Sequence, residues 1–171
     1  MPVKVLVTAA SRHHATAEIA DAIVTGLRDR GIDAESRPIA EVNDVDVYDV
    51  VVLGSAVYLG RWLPEARRFA TIHASALSSM PVWLFSSGPV GPPEHMVPPG
   101  EAADVPVLLH LTRARGHRTF PGRLDMKDLH FTERAMARSI HAPDGDSRDW
   151  DAIDRFAAEI ADALLHPRVA A

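Results

Sequence analysis

The chain contains no cysteine. That excludes disulfides, thiol nucleophiles and cysteine-held iron–sulfur clusters, so any redox chemistry must come from a bound organic cofactor. No apolar run approaches the roughly 20 residues of a membrane-spanning helix. Positive charge is not in excess: the formal net charge is -5, which gives no general electrostatic reason to bind nucleic acid. Glycine is missing where a dinucleotide site would need it. Thr8 to Ala15 reads TAASRHHA, with no G-x-G-x-x-G and no Lys-Ser/Thr ending of a P-loop. Acidic residues are absent from the ends of the first and third strand patterns, which excludes a phosphoacceptor domain.

What remains is ordinary for one globular domain spanning residues 1–171: 47% of the residues are hydrophobic and 24% charged. A strand pattern begins at Val3, leaving no room for a signal peptide, so the expected location is the cytoplasm. Val3 to Thr8 reads as a strand. A helix follows to about Arg30, with Ile19, Ile23 and Leu27 on one stripe, and Gly31 stops it. Strands are expected at Ala34–Ile39, from Val50, and at Pro81–Ser86. Ala40–Tyr48 is expected to form one helical turn plus a connection, and Arg61–Ser75 a helix. Ser87–Gly100 is a proline- and glycine-rich loop. A helix interrupted at Pro106 is expected over Glu101–Arg115, an edge strand over Arg118–Leu124, and a helix over Met126–His141. Asp149 caps a last amphipathic helix carrying Ile153, Phe156, Ile160 and Leu164.

Strands alternating with helices predict an α/β fold: a doubly wound, five-stranded parallel sheet with helices on both faces. Its most informative stretch is VVVLGSAVYLGRW at Val50–Trp62. The apolar run is a strand buried on both faces. Ligands in such sheets sit at the carboxyl ends of strands, where Tyr58 and Trp62 suit a flat aromatic group.

Four stretches carry a family resemblance: VLVTAASRHHATAEIADAI at Val5–Ile23, YDVVVLGSAVYLGRW at Tyr48–Trp62, PVWLFSSGPVG at Pro81–Gly91, and HRTFPGRLD at His117–Asp125 with DSRDWDAI at Asp146–Ile153. On these the chain resembles the flavodoxin-like domains, and within them the group containing menaquinone-dependent protoporphyrinogen dehydrogenase. The resemblance implies strand order 2-1-3-4-5, with FMN at the strand ends. It assigns the FMN phosphate to the first loop, Ser11, Arg12, His13, His14, Ala15 and Thr16. It assigns the isoalloxazine ring to Ser55, Ala56, Val57, Tyr58, Leu59, Gly60 and Trp62, and to Ser86, Ser87, Gly88, Pro89, Val90 and Gly91. It implies an FMN-dependent oxidoreductase or electron-transfer protein with a quinone, a porphyrinogen or a redox protein as partner. Peripheral contact with a membrane stays open.

The first loop fits an anion, because it leads into a helix N-terminus where free N–H groups and the dipole favour negative charge. It departs from the family pattern at His14 and Ala15, where glycine and serine are usual. The residues alone therefore leave a second reading: a protein that keeps the fold, has lost FMN and serves as a binding or regulatory module. Other constellations have simpler readings. His13 and His14 point apart and lack a third ligand for a metal. Asp144, Asp146, Asp149 and Asp151 do not fit a calcium loop, and Arg148 is expected to pair nearby. Arg113, Arg115, His117, Arg118 and Arg123 form a basic cluster, read as a solvated face or a dock for an anionic partner.

Overall fold

The computed structural model describes residues 2–88, 101–124, 145–146 and 148–168. Five parallel strands form the sheet: β1 (Lys4–Ala10), β2 (Asp33–Pro38), β3 (Val50–Tyr58), β5 (Val82–Ser87) and β6 (Gly116–Phe120), in spatial order β2-β1-β3-β5-β6. This is the expected doubly wound order. A short sixth strand, β4 (Arg61–Trp62), pairs antiparallel with the end of β3. A separate two-stranded ribbon joins β7 (Arg123–Leu124) to β8 (Gly145–Asp146).

Alternation along each strand sends side chains to two cores. On one face Val5, Val7, Val50, Val52 and Phe85 pack under α1 (Ala15–Arg28) and α5 (Trp150–Leu165), which contribute Ile19, Ile23, Leu27, Phe156 and Ile160. On the other face Leu6, Val51, Leu53 and Leu84 lie under α2 (Pro64–Ile72), α3 (Ala74–Leu77) and α4 (Val105–Thr112). Central strands buried on both faces explain the uninterrupted apolar run of β3. Gly54 is required there by packing. A Cβ on it would meet the Phe85 ring at 2.2 Å.

Several boundaries differ from the sequence reading, each for a local reason. Arg61 and Trp62 do not start a helix. Leu59 and Gly60 both have positive φ (50° and 74°), which makes a two-residue hairpin turn and folds Arg61 back beside Tyr58. The helix begins only at Pro64, whose fixed φ suits a first helical position. Pro106 also lies in a first turn rather than interrupting α4. β6 is the edge strand expected around Arg118, but it starts at Gly116 and stops before Pro121. One turn of 3-10 helix at Ile39–Glu41 opens the connection to β3. Asp149 caps α5 as expected, accepting the Ala152 N–H at 2.9 Å. The helix expected at Met126–His141 lies outside the described residues, as does Asp144.

Candidate functional site

The carboxyl ends of β1, β3 and β5 meet at one rim. The first loop, Ser11–His14, runs directly into α1. The helix's backbone bonding begins with Glu18 N–H to His14 O at 2.9 Å, so the first-turn N–H groups of Ala15, Thr16 and Ala17 have no intrahelical acceptor. His14 is the N-cap residue, with φ 63° and ψ -10° and no side-chain cap. It thus holds the left-handed backbone for which glycine is the usual choice. Thr16 is buried in the first turn.

Three cations stand around this loop. The guanidinium of Arg12 lies 4.7 Å above the centre of the Tyr58 ring. Arg123 donates to the His13 carbonyl at 3.3 Å and faces Glu18 at 3.7 Å. The side chain of Arg148 is almost fully buried. It ion-pairs with Glu18 and Asp146, the latter at 2.7 Å, and its guanidinium stacks 4.5 Å over Trp150. The Arg148 guanidinium holds the Asp146 carboxyl down at about 2 and lowers Glu18 as well, while Asp146 raises Arg148 above its usual range. Arg123 and Arg148 were not among the site residues read from the sequence. They lie more than a hundred residues from Glu18, and spacing carries no sign of such a pairing.

At the second loop, Ala56, Val57 and Tyr58 are half-buried and Leu59 stands exposed at the hairpin tip. Trp62 does not face the rim: its side chain is 1% exposed and sits in the core beneath the hairpin. Ser55 is buried too, its hydroxyl accepting Leu63 N–H at 2.9 Å and donating to Ala56 O. Ser86 and Ser87 are buried at the end of β5, and Gly88 turns the chain with φ 98°. Pro89, Val90 and Gly91 lie outside the described residues.

Below the hairpin runs a continuous chain of hydrogen bonds. The Trp62 indole N–H donates to Ser86 Oγ at 2.8 Å. Ser86 Oγ lies 2.7 Å from His117 Nε2, and His117 Nδ1 lies 2.7 Å from the Glu101 carboxylate. Burial is the main influence on His117 and holds its pKa below the ordinary value; the Arg118 charge acts the same way and Glu101 opposes both. The basic cluster expected around it is dispersed. Arg115 lies over Trp83, Arg118 pairs with Glu159 at 2.8 Å and Arg123 reaches the first loop. Only Arg113 is left as a simple helix-end residue, with φ 53°.

A cleft of about 540 Å³ opens beside the first loop, between the ends of β1 and β2, α1 and the start of α2. Ser11, His14, Asp21, Arg37, Leu63 and Glu65 are among its walls. Among the described residues no cluster of metal-ligating side chains occurs, and no helix is long and apolar enough to cross a membrane.

Residues 6–151 match the model of a family described as Flavodoxin domain. The chain is 27% identical over 172 aligned residues to protoporphyrinogen IX dehydrogenase (quinone) of Escherichia coli strain K12, covering 92% of this chain and 94% of the relative. The corresponding protein of Escherichia coli O157:H7 matches equally. Among solved structures, a flavodoxin from the domain Archaea superposes with TM-score 0.66 at 15% identity, covering 96% of this chain and all of that one. Oxidised Flavodoxin 1 from Bacillus cereus superposes with TM-score 0.59 at 17% identity, covering 96% and 99%.

Proposed function

This chain belongs to the flavodoxin domain family, and from that premise we propose that it binds FMN across the rim and works as an oxidoreductase. The phosphate is assigned to Ser11–Thr16, and the isoalloxazine ring to the Tyr58–Gly60 turn together with residues from Ser86 to Gly91. The flavin, when bound, supplies the electron-transfer chemistry. The protein supplies orientation and charge. The α1 N-terminus offers unpaired N–H groups and the positive end of its dipole. Arg12, and Arg123 behind His13, add positive charge beside them. Tyr58 offers an aromatic face beside Arg12 of the first loop.

The observation that carries this reading is the backbone of His14. At the position where the family pattern has glycine, His14 itself adopts the left-handed φ of 63° that glycine would favour. This supports a retained phosphate cradle, held at the cost of strain in one residue. For the redox partners we extend to this chain what the name of its Escherichia coli relatives states: a protoporphyrinogen as donor and a quinone as acceptor. The proposal includes a single domain over residues 1–171 and a cytoplasmic location.

Titration of the purified protein with FMN and with riboflavin, read by flavin fluorescence and visible absorption, tests the binding site. FMN held at least tenfold more tightly than riboflavin supports the phosphate assignment. Reduction of the complex without oxygen, followed by reoxidation with a water-soluble naphthoquinone, tests the partner class. One observation favours the cofactor-free reading, namely that Arg12 lies over the Tyr58 ring, 4.7 Å from its centre. A protein that stays colourless with excess FMN, both as wild type and as Arg12→Ala, would establish that alternative.

A further inference from the structure

The chain Trp62–Ser86–His117–Glu101 joins four segments that are distant in sequence and meet just below the rim. Its polarity can be assigned atom by atom. The Trp62 indole is only a donor, and an ionised Glu101 carboxylate is only an acceptor. The proton on the imidazole therefore lies on Nδ1, directed at Glu101 over 2.7 Å. Nε2 is left as an acceptor, and the Ser86 hydroxyl donates to it at 2.7 Å while accepting from Trp62 at 2.8 Å. Each polar atom of the chain then has a partner of the right sense.

The same segment that brings Glu101 also grips the hairpin from its other side. Ala103 N–H donates to Gly60 O at 2.8 Å, Asp104 Oδ2 accepts the Trp62 backbone N–H at 2.8 Å, and Asp104 Oδ1 pairs with Arg61 at 3.1 Å. The Tyr58–Arg61 turn is thus tied to β5 through the Trp62 indole and Ser86, and to residues 101–104 through the His117 imidazole on Glu101 and directly through the Asp104 carboxylate.

A serine, histidine and glutamate in this order also suggest acyl transfer, but the surroundings exclude it. Ser86 is fully buried and its oxygen already accepts the indole N–H, so no carbonyl carbon can reach it.

We propose that His117 is a positioning residue of the flavin slot: as the neutral, Nδ1-protonated imidazole it fixes Trp62 and, through Trp62, the turn that forms one wall of the slot. This rests on the FMN reading given above. Protonation would turn Nε2 into a donor, leaving Ser86 Oγ with two donors and its own hydrogen without an acceptor in a buried place. The wall is therefore expected to loosen in acid. The charges acting on the imidazole are Glu101, from the segment before α4, and Arg118, its neighbour on β6. Trp62 and Ser86, from β4 and β5, are neutral, and His110 of α4 is exposed. Burial lowers the imidazole pKa, so neutral pH leaves it in the required form.

The test has two readouts. In flavin-free protein, the proton resonance of the Trp62 indole N–H, assigned with Trp62→Phe, is followed from pH 8 to pH 5 by NMR. It is expected to shift with the His117 imidazole titration and to stay flat in His117→Gln. Separately, the FMN Kd is measured over the same range. His117→Leu is expected to weaken FMN about tenfold at pH 8, the effect of one uncompensated buried polar group, and to keep only the pH dependence that the FMN phosphate itself brings. Wild type should weaken toward that value in acid. His117→Gln, which keeps an acceptor for Ser86, should recover most of the affinity and lose the part of the pH dependence beyond that of the FMN phosphate, and it serves as the informative variant if His117→Leu does not fold. An indole resonance that ignores the imidazole titration, or variants that bind FMN like wild type throughout, would overturn the proposal. If wild type takes up no flavin at all, the FMN reading fails and the wall role falls with it, while the indole shift still decides whether His117 fixes Trp62.

Discussion

The guanidinium of Arg12 rests 4.7 Å above the ring of Tyr58, so the loop assigned to the phosphate and the loop assigned to the flavin ring are in contact with each other. A cation over an exposed aromatic face is worth on the order of 0.5–1 kcal/mol. A planar ring entering at Tyr58 must displace it or slide beneath it, and either way the phosphate of FMN comes within reach of the guanidinium charge. Arg12→Ala should therefore weaken FMN about fivefold and leave riboflavin unchanged or slightly tighter, because only FMN carries the charge that Arg12 would meet. Parallel titrations with the two flavins measure the ratio. Equal weakening of both would place Arg12 on the ring rather than on the phosphate.

His14 sits in a left-handed conformation at the α1 N-cap without a capping side chain. A non-glycine residue there carries roughly 1 kcal/mol of backbone strain. His14→Gly relieves it, and part of the gain is offset by the greater freedom of glycine in the unfolded chain. The expected net stabilisation is about 0.5 kcal/mol in urea denaturation, with the slope unchanged. His14→Val should destabilise by more than 1 kcal/mol, since a β-branched residue tolerates this conformation worse.

Trp62 fills the core below the hairpin instead of lining the rim. Trp62→Ala should cost about 3–5 kcal/mol of stability through the cavity it leaves and the donor that Ser86 Oγ loses, although Ser86 keeps its bond to His117. Trp62→Phe keeps most of the apolar bulk and loses the N–H, and should cost about 1–2 kcal/mol. Thermal unfolding of the flavin-free proteins separates these values. A loss of flavin affinity in Trp62→Phe with unchanged stability would instead indicate direct stacking.

The Arg148 cluster predicts a definite acid dependence. Asp146 and Glu18 are both held below their ordinary pKa values by Arg148, Asp146 at about 2 against 3.8. Groups lowered by folding add stability that is present above their unfolded pKa values and disappears as pH falls through the folded ones. For this cluster the loss should run from about pH 4.5 to about pH 2. Because Asp146 is 43% exposed, water screens much of the interaction, leaving on the order of 1 kcal/mol. Arg148→Met should remove that component from the stability profile between pH 5 and pH 2, as read by urea denaturation at each pH. A slope identical to wild type would show that other carboxylates dominate.

The parts of the molecule legible in the sequence were those governed by periodicity and by caps. The runs around Val5, Val51 and Leu84 gave their strands, the Ile19–Ile23–Leu27 stripe gave α1, and Asp149 marked the start of α5. These signals are local, and the strands and helices follow them within a few residues. The hairpin was missed because its turn places Leu59 where asparagine or glycine is usual, so Leu-Gly between Tyr58 and Arg61 reads as continuous chain. Trp62 was assigned to the rim as part of the loop after the Val50 strand; once the hairpin folds that loop back, Trp62 lies on β4 with its side chain in the core. The basic cluster misled in another way. Arg115, His117, Arg118 and Arg123 are close in sequence, yet alternation along β6 and the break at Pro121 send them to Trp83, Glu101, Glu159 and the first loop. Nothing in their spacing reveals partners supplied by other elements.

The contact between α1 and α5 bears on how the protein assembles. A Cβ at Gly26 would come within 2.7 Å of Ala157 Cβ, and Arg30 closes the same seam on Asp154 at 2.9 Å. The earliest helix therefore has its cover supplied by the latest. On the ribosome, Ile19, Ile23 and Leu27 stay without Phe156 and Ile160 until more than a hundred further residues have been added, so through that stretch of translation the helix can pack on the strands beneath it but its outer seam stays open to water.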